Sequence, residues 1–130
     1  MGSNLEALKE MTKRLPDLIA LASSTVRYDV MGGQCVGVNL RFAPQVAVQD
    51  AYMSAGAEFP VHSHDGVEHL VVYEGRLRVE TDGIVQEIGV GEGCVFLAGV
   101  KHTVLALENT WVIGITVPSD EGYPHATRRY

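Results

Sequence analysis

From Thr25 onward the chain consists of short runs rich in valine, isoleucine and aromatic residues, separated by turns that contain glycine. Runs of this length and composition are typical of β-strands. The pair Asp82-Gly83, which lies between two alternating runs, predicts a tight two-residue hairpin. Many short strands without intervening helices predict an all-β sandwich or barrel. We expect strands at 25–30, 34–42, 46–54, 58–62, 67–73, 76–81, 84–88, 94–97, 102–108 and 111–117.

The two ends of the chain have other patterns. Before the first strand, apolar residues recur at spacings of three and four, which predicts a short amphipathic helix that packs against the barrel or a partner subunit (Leu5, Leu8, Met11 and Leu15). After Pro118 the sequence becomes polar, which predicts a loop-like tail. We therefore expect three parts: an N-terminal helical extension at 1–24, a barrel at 25–118 and a C-terminal tail at 119–130.

Length, charge and composition exclude several classes of function. A chain of 130 residues is long enough for one domain with one core. The net charge of −6 argues against sequence-independent binding of nucleic acid, which needs a basic face. No apolar run is long enough to span a membrane, and the first residues have no signal-peptide pattern. The two cysteines, Cys35 and Cys94, do not have the spacing of a zinc site or form a disulfide framework. Together these features predict a cytoplasmic protein with reduced thiols.

Three histidines and one glutamate have the spacing of metal ligands. His62 and His64 are two residues apart on an extended segment, so both side chains project from the same face. Glu68 follows after the bend at Asp65-Gly66, and His102 begins a later strand. Three imidazoles and one carboxylate suit one divalent transition metal ion, Fe, Mn, Ni or Zn, rather than Ca(II). The alternative is a hydrogen-bonded cluster of the same side chains without a metal.

Glycines frame these ligands in two motifs. Residues 56–75 read Gly, five residues, His-x-His, three residues, Glu, six residues, Gly, and residues 91–102 read Gly, five residues, Leu97, one residue, Gly, two residues, His. These stretches resemble the two sequence motifs of the cupin family, and the resemblance extends from about Val46 to Val117. The second motif departs from the family at Leu97, where proline is usual, and at Ala106, where asparagine is frequent. Neither position is a ligand.

The resemblance implies an all-β, double-stranded β-helix (jelly-roll) barrel, preceded here by the short N-terminal helix. It also implies that His62, His64, Glu68 and His102 bind the metal inside the barrel and leave one or two coordination positions for water or substrate. Cupins include dioxygenases, isomerases and lyases, so the expected function is a metal-dependent enzyme acting on a small oxygen-rich metabolite, carboxylate or sugar-like. The alternatives are a non-catalytic, metal-anchored module that binds a small ligand, and a metal-stabilised dimer without small-molecule chemistry.

Catalytic groups beyond the metal are harder to choose, because strand parity before Gly56 is ambiguous in the sequence. Tyr52 and Glu68 are the candidates for the catalytic role, and weaker candidates for acid, base or substrate anchor are Arg41, Gln49, Tyr73, Arg76 and Arg78. His69 should point away from Glu68, its neighbour on the same strand, and His125 should be exposed to solvent. Leftover sheet edges and the N-terminal helix favour a homodimer.

Overall fold

The computed structural model describes residues 25–43, 45–119 and 128–130. The predicted N-terminal helix and His125 lie outside the described residues. All regular secondary structure in these ranges is β, so none of the described residues belongs to an apolar helix of membrane-spanning length. The strands are β1 (Thr25–Tyr28), β2 (Cys35–Ala43), β3 (Val46–Met53), β4 (Glu58–Ser63), β5 (Val67–Glu74), β6 (Arg76–Thr81), β7 (Ile84–Gly89), β8 (Gly93–Phe96), β9 (His102–Ala106), β10 (Thr110–Val117) and β11 (Arg128–Arg129).

The strands form two antiparallel sheets with the core between them. One sheet has the order β1-β2-β3-β10-β5-β8, and the other has the order β11-β4-β9-β6-β7. Apolar side chains from both sheets form one buried cluster, whose largest fully buried members are Phe96, Met53 and Leu77. The all-β prediction is confirmed, and each of the ten predicted strands differs from the observed strand by at most two residues at either end.

Alternation along the strands decides which side chains enter the space between the sheets. On β5, Glu68, Leu70 and Val72 are buried, whereas His69 and Val71 are exposed on the outer face. The prediction that His69 points away from its neighbour Glu68 is therefore confirmed. This period of two follows from the pleat of the strand, and it extends across each sheet because directly paired residues lie on the same face.

The turn between β6 and β7 has the backbone that its sequence predicts. Asp82 and Gly83 both have positive φ angles, 52° and 76°, and Thr81 pairs directly with Ile84. Two successive residues in the left-handed region form the tight turn whose twist matches that of the flanking strands. Asp and Gly tolerate that region better than most other residues, which explains why this dipeptide is so informative.

A short strand near the C-terminus lies against the strand that carries two of the histidines. In β11, Arg128 pairs with Ser63 and Arg129 pairs with His62. The next residue, Tyr130, places its ring 4.1 Å from Nζ of Lys101, and its hydroxyl lies 3.1 Å from Oγ of Ser63. Within the stretch predicted to be a loop-like tail, the described residues therefore extend the second sheet beyond β4.

The burial of the core predicts a large difference between two leucine variants. Leu77 is 0% exposed and Leu97 is 61% exposed. We expect Leu77→Ala to lower the free energy of unfolding by about 2–5 kcal/mol, because it leaves a cavity between the sheets. The matched control Leu97→Ala should change it by no more than about 0.5 kcal/mol. Chemical denaturation of both variants measures the difference, and equal losses would contradict this description of the core.

Candidate metal centre

Three buried imidazoles meet between the two sheets. His62 and His64 lie at the end of β4 and just beyond it, and His102 is the first residue of β9, where it pairs directly with His62. The ring centroids of His62 and His102 are 4.2 Å apart, and those of His64 and His102 are 5.0 Å apart. The pairing of β4 with β9 thus brings together histidines that are 38 to 40 positions apart in the sequence.

Each of the three imidazoles donates a hydrogen bond from its Nδ1 atom to a nearby backbone carbonyl. A carbonyl oxygen only accepts hydrogen bonds, so each Nδ1 carries a proton, and in the neutral imidazole Nε2 is then the atom whose lone pair can ligate a metal. Because each carbonyl belongs to a residue two positions from its histidine, local backbone shape sets the orientation of the ring. The distances are 2.6 Å from Nδ1 of His62 to the Pro60 oxygen, 2.9 Å from His64 to Gly66, and 2.9 Å from His102 to Val100.

Glu68 brings a carboxylate to the same point. One nitrogen from each of the three histidines lies within 4.8 Å of the others. Oε1 of Glu68 lies 3.4 Å from Nε2 of His64 and 3.8 Å from Nε2 of His102. Glu68 is the second residue of β5, and the bend at Asp65-Gly66 takes the chain from β4 in one sheet to β5 in the other. The structure therefore brings together all four side chains that the sequence singled out as metal ligands.

The pKa values of two histidines in the cluster are shifted in opposite directions. Burial lowers the pKa of His64, but the hydrogen bond and the negative charge of Glu68 outweigh burial, and the net shift is upward. Burial, followed by the neighbouring His62, lowers the pKa of His102 to about 4. An imidazole with that pKa is neutral at physiological pH, and the neutral form is the one that ligates a metal.

The donor set fits a divalent transition metal ion. Nε2 of His102 is buried and has no hydrogen-bond partner among the described residues. A buried nitrogen lone pair without a partner is costly, and the carboxylate of Glu68, 3.8 Å away, adds further negative charge density beside it. A cation at their common centre removes that cost. Nitrogen donors with one oxygen donor suit Fe, Mn, Ni or Zn better than an ion that prefers oxygen alone.

Aromatic residues cover the faces of two imidazoles. The ring of Phe96 stacks on that of His102, with centroids 3.9 Å apart and an angle of 6° between the planes. The Phe59 ring lies 5.8 Å from His62, and Tyr28 packs edge-on against Phe59 at 5.9 Å. The Tyr28 hydroxyl is buried and has no hydrogen-bond partner among the described residues. Sequence reasoning missed Tyr28, because only the pairing of β1 with β2 turns it toward the interior.

Of the weaker candidates, Gln49 alone reaches the site among the side chains that the structure describes. It is buried on the inner face of β3, whereas Tyr52 lies on the outer face with its ring centroid 4.6 Å from that of Trp111. Tyr73 donates a hydrogen bond to Asp50 on that outer face. Arg76 and Arg78 are exposed on β6, and the Arg41 side chain lies outside the described part of the chain. The fold thus separates Tyr52 from the histidines.

Comparison with known proteins finds one matching family model and solved structures with a similar fold. The family model described as "Cupin domain" matches residues 51–117, just over half of the chain. No protein of curated function matches. Among solved structures, an RmlC-like cupin from Shewanella frigidimarina superposes with a TM-score of 0.67 at 23% identity, covering 79% of this chain and 92% of that one. The structure of KdgF from a Halomonas species gives a TM-score of 0.64 at 23% identity, covering 74% and 90%.

A larger protein shares the same fold. Oxalate decarboxylase from Bacillus subtilis, described as having Mn(II) centres, superposes with a TM-score of 0.68 at 22% identity. The match covers 82% of this chain and only 30% of that one, so this chain spans less than a third of the larger protein. Identities of this size show the fold alone. With the family match across both motifs, the paired antiparallel sheets and the clustered histidines, the chain belongs to the cupin family.

Proposed function

We propose that His62, His64, His102 and Glu68 hold one divalent transition metal ion, and that the chain is a metal-dependent enzyme acting on a small oxygen-rich metabolite, carboxylate or sugar-like. One observation carries the proposal: three Nδ1 atoms are fixed on backbone carbonyls, so that three Nε2 lone pairs and one carboxylate oxygen share a buried space. Such a metal would supply Lewis acidity toward a carbonyl or carboxylate and would lower the pKa of a bound water.

The residues of this chain support that chemistry in distinct ways. His102 stays neutral and available as a ligand, because burial depresses its pKa. Phe96 and Phe59 pack against the imidazoles and limit the access of water to the ring faces. Glu68 supplies the negative charge that offsets part of the charge of a divalent ion. We assign Glu68 to the ligand role rather than to acid–base catalysis, since its Oε1 already faces two of the histidines.

The comparisons support a metal and a small substrate without choosing a reaction. Oxalate decarboxylase is described as having Mn(II) centres, and its name gives a small dicarboxylate as its substrate. This is one reason to favour a carboxylate among oxygen-rich metabolites. Dioxygenase, isomerase and lyase chemistry all remain within the proposal, as do Fe, Mn, Ni and Zn, because a fold supports many chemistries.

The outward position of Tyr52 favours a second candidate function. An enzyme of this class needs groups that move protons near the bound substrate, and the tyrosine put forward for that role packs on Trp111 instead. The second candidate is therefore a non-catalytic module, in which the metal anchors a small ligand. The two functions differ in one measurement: an oxygen-rich ligand that raises the melting temperature of the metal-loaded protein, without being converted over hours, identifies the module.

The metal proposal predicts a sharp contrast between buried and exposed histidines. We expect the double variant His62→Ala with His64→Ala to lose all bound metal and all turnover, because two of four ligands are gone. The matched control His69→Ala changes an exposed histidine on the outer face of β5 and should keep one metal ion per chain. Elemental analysis of protein purified without added metal measures this, alongside assays with dicarboxylates and sugar acids. Turnover by the metal-free double variant would refute catalysis by the metal.

A cytoplasmic homodimer is also part of the proposal. The outer face of the six-stranded sheet carries exposed apolar side chains in adjacent rows, among them Val71, Val95 and Ile115. Exposed apolar faces of this kind are frequent at interfaces between subunits. Val71 is 43% exposed, and Val85, at 55%, lies on the other sheet and serves as the matched control.

We expect light scattering to give twice the 14.1 kDa mass of the chain. Val71→Lys should convert the dimer to a monomer, because it places a charge within the apolar face. Val85→Lys should leave the dimer intact. A wild-type chain that runs as a monomer at micromolar concentration would overturn the dimer without affecting the metal site.

A further inference from the structure

The two oxygens of Glu68 have different surroundings. Oε1 faces the histidines, at 3.4 Å from His64 and 3.8 Å from His102. Oε2 turns the other way, toward the backbone of β10. A methyl group built on Gly114 would lie 3.1 Å from Oε2, which is closer than side chains ordinarily approach. The absence of a side chain at Gly114 therefore leaves the space that this carboxylate occupies.

Gln49 borders the same space from the neighbouring strand. Gly114 pairs directly with Gln49 on one side and with Leu70 on the other, so these three residues form one row across the inner face of the sheet. Oε1 of Gln49 would lie 3.7 Å from the methyl group built on Gly114. Gln49 is only 8% exposed, so its amide is buried beside the carboxylate and has little contact with solvent.

We propose that Gln49 is a positioning residue: its side-chain amide donates a hydrogen bond to Oε2 of Glu68 and so directs Oε1 to the metal, in the space that Gly114 keeps open. This inference rests on the proposed metal site. A half-turn of the terminal amide exchanges its oxygen and nitrogen within nearly the same volume, so the amide can present N–H to the carboxylate. Carboxylates that ligate metals are commonly held by a second hydrogen bond of this kind.

An uncharged donor suits this position better than a cation would. A lysine or arginine in place of Gln49 would form an ion pair with Glu68 and compete with the metal for the carboxylate. An amide orients the carboxylate and leaves its charge available to the metal. A long neutral side chain on the inner face of β3, opposite a glycine, meets both requirements.

The first experiment uses Co(II) as the probe, because its visible spectrum reports the ligands around it. Gln49→Met keeps the length of the side chain and removes the donor. We expect its affinity for Co(II) to fall by about 10–100-fold, with an altered Co(II) spectrum. The matched control Gln86→Met makes the same change at an exposed position on β7 and should alter neither. Gln49→Asn, which withdraws the amide by one methylene, should also weaken binding and replaces the methionine variant if that one does not fold.

The outcomes separate this inference from the proposed function. A wild-type chain that takes up no Co(II) overturns the metal site and this inference together. Wild-type binding with unchanged affinity and spectrum in Gln49→Met overturns the role of Gln49 and leaves the metal site intact. Weaker binding and an altered spectrum in Gln49→Met, with both unchanged in Gln86→Met, support the inference.

Gly114→Ala tests the same contact from the opposite side. The added methyl group would displace Oε2. We therefore expect Gly114→Ala to lose about as much affinity for Co(II) as Gln49→Met does. If both variants act through Oε2, the combination Gly114→Ala with Gln49→Met should lose little more affinity than either change alone. Fully additive losses, measured by competition with a chelator, would show that the two residues act separately and would contradict the proposal.

Discussion

Three hydrogen bonds from imidazole Nδ1 atoms to nearby backbone carbonyls determine what the interior of this protein can do. They orient the rings of His62, His64 and His102 and leave the Nε2 atoms facing one another and Glu68. Enclosing such groups between two sheets costs free energy, because each loses its hydration and meets like partial charges. A bound cation reverses the sign of these contacts. Binding of the proposed metal would therefore be coupled to folding and would stabilise the folded chain.

The period of two along each strand is the second constraint on the site. Glu68 and His69 are adjacent in sequence, yet one is buried beside the histidines and the other is exposed on the outer face. A shift of one residue in the pairing of β5 would exchange them and remove the carboxylate from the interior. The buried side chains of Leu70 and Val72 on the same strand oppose that shift, because it would expose both of them. The apolar core thus holds the polar site in register.

Much of the architecture could be predicted from the sequence, and the rest depends on contacts between distant segments. Strand positions and the Asp82-Gly83 turn are local properties, so composition and turn chemistry were sufficient. The candidate ligands were chosen from their spacing and from the resemblance to cupin motifs. Which side chains of β3 face inward could not be predicted, because the turn around Gly56 interrupts the alternation. Tyr52 was therefore favoured over Gln49, although of these two only Gln49 faces inward. The interior role of Tyr28 and the strand β11 depend on pairings that no local pattern encodes.

The position of β11 has a consequence for how copies of this chain can associate. In the described sheets, β4 has β9 on one side and β11 on the other, so the backbone groups of Ser63 and His62 are engaged within the chain. Within the described ranges the edge strands are β1 and β8 in one sheet and β11 and β7 in the other, so a strand from another molecule would add beyond β11 and not directly to β4. While β11 is in place, the backbone of the histidine-bearing strand β4 is thereby shielded from direct addition of a strand from another chain.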